Sequence, residues 1–310
     1  MIQRVSDAHP FPPADVAATE AALAASGYLP DTGLATSVFL AATLRRPLLL
    51  EGEAGVGKTE LAKALSRWTG GELLRLQCYE GIDVSTAVYE WDHARQLLHL
   101  RAAEAAHVDA GVETLEADLY DERFLVRRPL LQAVTPREGP APVLLVDEVD
   151  RADDEFEAFL LEVLSEWAVT VPELGTIRAT TPPMAVITSN RTRDVHDALK
   201  RRCLYHWVEH PSFEREVEIV RLRAPGVPEQ LARQVAAAAG TIRGLGVYKP
   251  PGVAETIDWA MALAALGRRE LAADVVDATL GTVLKYREDQ ERIRAAGLDA
   301  LVAGAADRAH

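Results

Sequence analysis

Cysteine is scarce in this chain. Cys78 and Cys203 are the only two in 310 residues, far apart and without a C-x-x-C pattern, which suits a reducing compartment. Long apolar runs are also missing. No stretch reaches the ~18 apolar residues that a spanning helix needs, and MIQRVSDAHPFPPAD at the start has no apolar h-region, so no signal peptide is expected. The expected location is cytoplasmic. Positive charge is short as well: 33 Lys and Arg stand against 47 Asp and Glu, a net charge of −14. That leaves no overall basic surface for a nucleic acid backbone and counts against such a partner. What remains is ordinary for a globular protein, 48% apolar and 26% charged, enough for a sizeable core in about two domains.

The most informative stretch is PLLLEGEAGVGKTELAKAL, residues 47–65. Leu48, Leu49 and Leu50 predict a short buried strand. Leu61, Ala62, Leu65 and Trp68 recur at helical spacing. Between them Gly52, Glu53, Ala54, Gly55, Val56, Gly57, Lys58 and Thr59 complete a G-x-x-x-x-G-K-[ST] phosphate loop, followed by Glu60 in the first helical turn. The glycines let the backbone curl so that its N–H groups point inward, and the helix N-terminus favours an anion. Lys58 can reach the β- and γ-phosphates of ATP. The Thr59 hydroxyl can ligate Mg²⁺.

Proline-rich residues 1–15 are expected to be an irregular arm. Helices are expected over 14–26 and over 33–44, the second capped by Asp31 or Thr32. LLRLQC (73–78) is a strand candidate. Residues 89–91 and 96–100 are expected to pair as strands around a turn at 92–95. An Ala-rich, charged run with helical spacing follows to about Leu119, and Pro129 can open a helix. Val143 to Val146 form an apolar run ending in Asp147-Glu148, as a central parallel strand would. Residues 152–167 are amphipathic. Residues 168–171 and 176–179 flank a turn, and MAVIT (184–188) is another buried strand. A short helix is expected over 197–202 and a last strand over 204–208. After Pro211 the pattern turns helical, over 212–223, 228–243, 252–266 and 269–288. The expected division is therefore an N-terminal arm and helix over 1–30, an α/β core over 31–210 and an all-α domain over 211–310.

Asp147 and Glu148, at the carboxyl end of a buried strand, complement the phosphate loop. Asp147 can hold the Mg²⁺ shell together with Thr59, and Glu148 can orient or deprotonate the attacking water. Asn190, just past the next buried strand, can place that water or touch the γ-phosphate, although a turn asparagine is common. Arg201 and Arg202 close a short helix. One of them can enter a neighbouring subunit's site, or both can simply face their own helix dipole. Cys203, His206 and His210 have ligand-like spacing, but residues four apart on a strand lie ~13 Å from each other, too far to share a zinc.

These pieces in this order resemble AAA+ ATPases, and within them the MoxR family. LLVDEVDRADDEFEAFLLEVLSEWAVTV is similar to the family's run from Walker B into a β-hairpin, VITSN to its sensor-1 strand with Asn190, and LKRRC to an arginine-finger helix. That last resemblance points to Arg202, with Arg201 second. RLQCYEGID, YEWDHARQLL, RRPLLQA and KPPGVAETIDWA are most similar to the CoxD-like subgroup. The resemblance implies a P-loop AAA+ core, a parallel sheet flanked by helices, with a C-terminal all-α lid. It further implies ATP hydrolysis with Mg²⁺ in a homo-oligomer, a hexameric ring being expected. The implied partners are a protein with a von Willebrand factor A domain and a client such as carbon monoxide dehydrogenase or another molybdenum hydroxylase. In many MoxR proteins an arginine, sensor 2, opens a lid helix. Here Val253 stands in its place, and Lys249 is the candidate substitute. Two other functions are compatible with the same motifs: a DNA-acting AAA+ motor, which the net charge disfavours, and a nucleotide-gated scaffold, which the intact Lys58, Thr59, Asp147, Glu148 and Asn190 disfavour.

Overall fold

The computed structural model describes residues 11–105 and 118–309. Residues 1–10 of the expected arm and 106–117 of the expected helical run lie outside them. In chain order the elements are α1 (Val16–Ala25), α2 (Thr32–Leu44), β1 (Leu48–Glu51), α3 (Lys58–Thr69), β2 (Leu73–Gln77), α4 (Val84–Ala87), β3 (Tyr89–Trp91), α5 (His93–Ala105), β4 (Leu125–Arg127), α6 (Pro129–Val134) and β5 (Val143–Asp147). They continue with α7 (Asp154–Glu166), β6 (Ala168–Val171), β7 (Gly175–Arg178), β8 (Met184–Ser189), α8 (Asp197–Arg202) and β9 (Leu204–Trp207). Helices complete the chain: α9 (Phe213–Arg223), α10 (Glu229–Gly244), α11 (Val253–Ala265), α12 (Ala273–Val283), α13 (Arg287–Ala296) and α14 (Leu298–Ala309). Two compact units result. One gathers the described residues of Met1–Ala22, Thr32–Glu51 and Ala62–His206, the other those of Leu23–Asp31, Gly52–Leu61 and Trp207–His310.

The first unit is built on a five-stranded sheet in the order β2-β5-β8-β1-β9, with β1, β2, β5 and β8 parallel. The central strands β1, β5 and β8 are buried at every position. Strands covered on both faces need unbroken apolar runs, and these have them. Register places Leu49 beside Ile187, Leu145 beside Val186 and Leu76 beside Val146. Helices pack Leu130, Leu131, Phe156, Leu160 and Val163 against the sheet. In a parallel sheet the carboxyl ends of β1, β5 and β8 open on one edge, so Glu51, Asp147 and Ser189 end side by side.

β3 pairs antiparallel with β4, Tyr89 opposite Arg127 and Trp91 opposite Leu125, not with residues 96–100. Those residues lie in α5. Asp92 starts that helix: its carboxylate accepts the Arg95 N–H at 2.9 Å and its carbonyl the Gln96 N–H at 2.9 Å. A cap of this kind satisfies orphan donors and outweighs the strand-like apolar residues Leu97 and Leu98, which remain exposed.

The second unit is helical from α9 onward. Its core holds Leu231, Val235, Trp259, Leu263, Val276, Leu280 and Leu301. Trp259 is fully buried, and its indole N–H donates to Thr279 Oγ1 at 2.8 Å, so its one polar group is satisfied. The single helix expected over 269–288 is broken at Leu284. The Lys285 ammonium folds back onto the carbonyls of Gly281 and Thr282 at 3.1 and 2.7 Å, ending α12 as a basic residue at a C-terminus does.

Candidate active site

Gly52 to Leu61 lie in the same unit as the C-terminal helices. The loop carries positive φ at Gly52, Gly55 and Gly57 and runs directly into α3 at Lys58. The Lys58 ammonium is buried and donates to the carbonyls of Gly52 and Glu53, each at 2.7 Å. Val56 is buried, Thr59 and Glu60 half-buried, Ala54 exposed. Glu53 and Glu60 are engaged through their side chains: His210 Nε2 lies 3.0 Å from Glu53 Oε2, and Arg223 Nη1 2.7 Å from Glu60 Oε1.

Helix α11 begins against this loop. The Val253 N–H donates to the Gly55 carbonyl at 2.9 Å. A Cβ at Gly252 would stand 2.6 Å from Gly55 Cα, so backbone meets backbone and only glycine fits. The start of α11 is fixed by Glu255, which accepts the Gly252 N–H at 3.0 Å, and by Arg243, whose Nε donates to the Pro251 carbonyl at 2.7 Å. Arg243 in turn forks onto buried Glu216 at 2.6 and 2.7 Å. Val253 thus meets the loop through its main chain. Lys249 is exposed, and its backbone N–H donates to buried Asp289 at 3.1 Å. Tyr28 also belongs here: its ring lies 3.9 Å from where a Cβ on Gly57 would be, and burial, then Asp31 and Glu60, raises its hydroxyl pKa.

The acidic pair lies in the other unit, at the end of β5. Asp147 is 3% exposed. Its Oδ1 accepts from Thr188 Oγ1 at 2.6 Å, and its Oδ2 accepts two bonds from Arg75, at 2.6 and 3.0 Å. Glu148 adopts the left-handed conformation, φ 56 and ψ 51, which costs a non-glycine residue on the order of 1–2 kcal/mol. Its backbone N–H is held by Thr188 Oγ1 at 2.9 Å. The turn brings its carboxylate to Asn190 Nδ2 at 3.4 Å, Gln77 Nε2 at 3.0 Å and Arg151 Nη1 at 3.1 Å. Buried Asp150 accepts the backbone N–H groups of Asn190 and Thr192, at 3.3 and 2.8 Å, and shapes that loop. Asp147, Glu148 and Asn190 are therefore brought together. A carboxylate oriented by an amide can position and deprotonate a water.

Arg201 and Arg202 end α8, both exposed. Cys203 caps that helix with a buried thiol pushed up to about 12 by desolvation. His206 faces Ser37 at 3.4 Å and His210 faces Glu53. No group of three metal-ligating side chains occurs among the described residues.

The family profile for the AAA domain of the dynein-related subfamily matches residues 47–203, half of the chain. The chain belongs to that AAA family. A search of curated proteins found no match. Among solved structures, two point mutants of Thermotoga maritima RuvB align at 16% identity, with TM-scores of 0.45 and 0.47. The first alignment covers 80% of this chain and 65% of that one, the second 87% and 79%. The AAA domain makes the protein an ATPase with a nucleotide-binding loop, in a family that typically oligomerises. Among the described residues no helix is long and apolar enough to cross a membrane. The Asp147 carboxylate in one unit and the Thr59 hydroxyl in the other are each, taken singly, hard oxygen donors of the kind Mg²⁺ takes, so the chemistry of each fits that ion. Sequence reading missed Tyr28, Arg75, Gln77, Asp150, Thr188 and Arg243. The in-register pairing of Gln77 with Asp147 is the one signal that an aligned β2 and β5 could have offered.

Proposed function

We propose that this AAA ATPase hydrolyses ATP with Mg²⁺ in a homo-oligomeric ring and uses the cycle to remodel a protein client. The sequence resemblance favours a MoxR-type, CoxD-like role: maturation of a molybdenum hydroxylase such as carbon monoxide dehydrogenase, beside a protein with a von Willebrand factor A domain. The working division is a nucleotide-binding core over 31–210 and a helical lid over 211–310.

Lys58 and the backbone from Gly52 to Thr59 bind the phosphates, and Tyr28 lines the approach to Gly57. Thr59 and Asp147 would hold Mg²⁺, which when bound neutralises phosphate charge. Glu148 takes the proton of the attacking water while Asn190 orients that water and carboxylate. Arg202 reaches the nucleotide of the adjoining subunit, where such a finger is worth ~10³–10⁵ in rate, or ~4–7 kcal/mol. The observation that carries this reading is the Glu148–Asn190 contact beside buried Asp147. A scaffold that only bound nucleotide would need no strained carboxylate there.

The Glu148→Gln variant is expected to bind ATP as tightly as the parent and to hydrolyse it ~10²–10⁴-fold more slowly. Near-normal turnover would remove Glu148 as the base. Specific activity should fall on dilution below the assembly range. A rate per subunit that does not depend on concentration would remove the ring. The client reading is tested by ATP-dependent activation of an immature molybdenum hydroxylase with the von Willebrand partner present; activation of equal extent with Glu148→Gln would end it.

A further inference from the structure

We infer that Arg46 is a positioning residue for the finger arginines, holding their helix so that Arg201 and Arg202 are left for a second copy of this chain. This rests on the reading of Arg202 as a finger acting on the neighbouring subunit. Helix α8 has only six residues, too few to hold itself in place by its own hydrogen bonds. Its ends are fixed from outside. At the N-terminus, Glu157 of α7 accepts the His196 N–H at 2.8 Å. At the C-terminus, Arg46 places its guanidinium across three successive carbonyls: Nη2 donates to Arg201 O at 2.6 Å and Cys203 O at 3.3 Å, and Nε donates to Arg202 O at 3.0 Å.

Those carbonyls are the groups that basic side chains in a last helical turn usually serve. The last turn of α8 holds Lys200, Arg201 and Arg202. Lys200 turns toward buried Glu51 and Asp194, each at 4.0 Å. Arg201 and Arg202 are exposed, and neither side chain has a partner among the described residues. Arg46 does the capping, so the local role for the two arginines is already filled. Arg46 is itself well placed for this: its N–H donates to Ala41 O at 3.1 Å as α2 ends, and Pro47 then leads into β1. The Leu204 N–H donates to the Pro47 carbonyl at 2.8 Å, so α8 is held on both sides of Cys203 by the same lead-in. A displacement of ~1 Å in a group that must meet a transition state costs about 10²-fold in rate, which is why a fork across three carbonyls matters to the finger.

The test is Arg46→Met, which keeps the stem and removes the fork. The expected result is a kcat lowered ~10- to 100-fold with KM and nucleotide affinity unchanged. Single-turnover hydrolysis is then measured for Arg46→Met mixed with Glu148→Gln subunits, which supply intact fingers and do not cleave ATP themselves. Cleavage per Arg46→Met subunit should rise toward the parent rate as the Glu148→Gln fraction grows. Arg202→Ala mixed with Glu148→Gln runs in parallel. If that control shows no recovery, the shared-site reading fails. If the control recovers while Arg46→Met keeps a parental kcat, loses nucleotide affinity in proportion to rate, or stays unrecovered in the mixture, the inference about Arg46 is overturned. Should Arg46→Met not assemble, Arg46→Lys is read instead. Its single ammonium cannot span three carbonyls, so it should show a smaller loss with the same recovery; parental activity in that variant would be equally fatal.

Discussion

Gly252→Ala probes the contact through which α11 meets the phosphate loop. The new Cβ would stand 2.6 Å from Gly55 Cα, 2.8 Å from Gly55 C and 2.9 Å from Ala54 O. All three are backbone atoms, and the shortest distance is about 0.8 Å inside the 3.4 Å at which ordinary contact begins. No side chain can rotate away, so the loop or the helix must shift. The Val253 N–H to Gly55 O bond at 2.9 Å would lengthen or break, a loss of ~0.5–1.5 kcal/mol. Overpacking adds ~1–3 kcal/mol. Because α11 can take up part of the movement, we expect ~1.4–2.8 kcal/mol to reach the loop, which weakens nucleotide binding about 10- to 100-fold. The assay is titration with a fluorescent ATP analogue, with a thermal melt to check the fold. Gly244→Ala is the control: its Cβ would meet nothing within 4 Å, and affinity should be unchanged. If Gly252→Ala bound nucleotide like the parent while Gly244→Ala did too, the loop would not depend on α11, and the reasoning would fail.

Two further outcomes concern stability. Arg243→Met strands buried Glu216, whose side chain is 2% exposed, and should lower unfolding stability by ~3–5 kcal/mol in urea, whereas Arg243→Met with Glu216→Leu should recover most of that loss; a double variant no better than the single would contradict this. Desolvation pushes the thiols of Cys78 and Cys203 up to about 12 from an ordinary value near 9. The folded state therefore keeps them protonated where the unfolded state ionises, so their contribution is full below pH 9 and drains away as pH rises toward 12. Labelling by a thiol reagent at pH 8 should track unfolding; stoichiometric labelling of the native protein at mixing would show that the thiols are not buried.

What was legible in the sequence was what short segments determine. β1, β5 and β8 announce themselves as unbroken apolar runs because strands buried on both faces can carry no polar alternation. The phosphate loop is legible because positive φ at Gly55 and Gly57 demands glycine at fixed spacing. The expected pairing of 89–91 with 96–100 failed because a cap and an apolar alternation compete over the same residues, and Asp92 decided the matter through two hydrogen bonds. The break at Leu284 is hidden because no glycine or proline stands between Thr282 and Gln290 to mark it, and what ends α12 is the Lys285 side chain reaching back.

The site divides along the same line. Asp147 and Glu148 follow from position at a strand end, but their partners do not. Arg75 reaches Asp147 across 72 residues, and Thr188 reaches it across 41. Nothing in the local sequence at residue 75 or 188 marks either as part of an active site. The consequence bears on how the acidic pair works. Thr188 donates to Asp147 and accepts from the Glu148 N–H, so one hydroxyl fixes both the buried carboxylate and the strained turn that aims its neighbour. A Thr188→Val change would keep the shape of β8 and remove both bonds. Glu148 would then lose the bond that offsets its left-handed backbone, and the carboxylate aimed at Asn190 would drift while the loop around Lys58 kept its covalent geometry. The pairing of residues that sequence patterns do find is thus held in place by residues they do not.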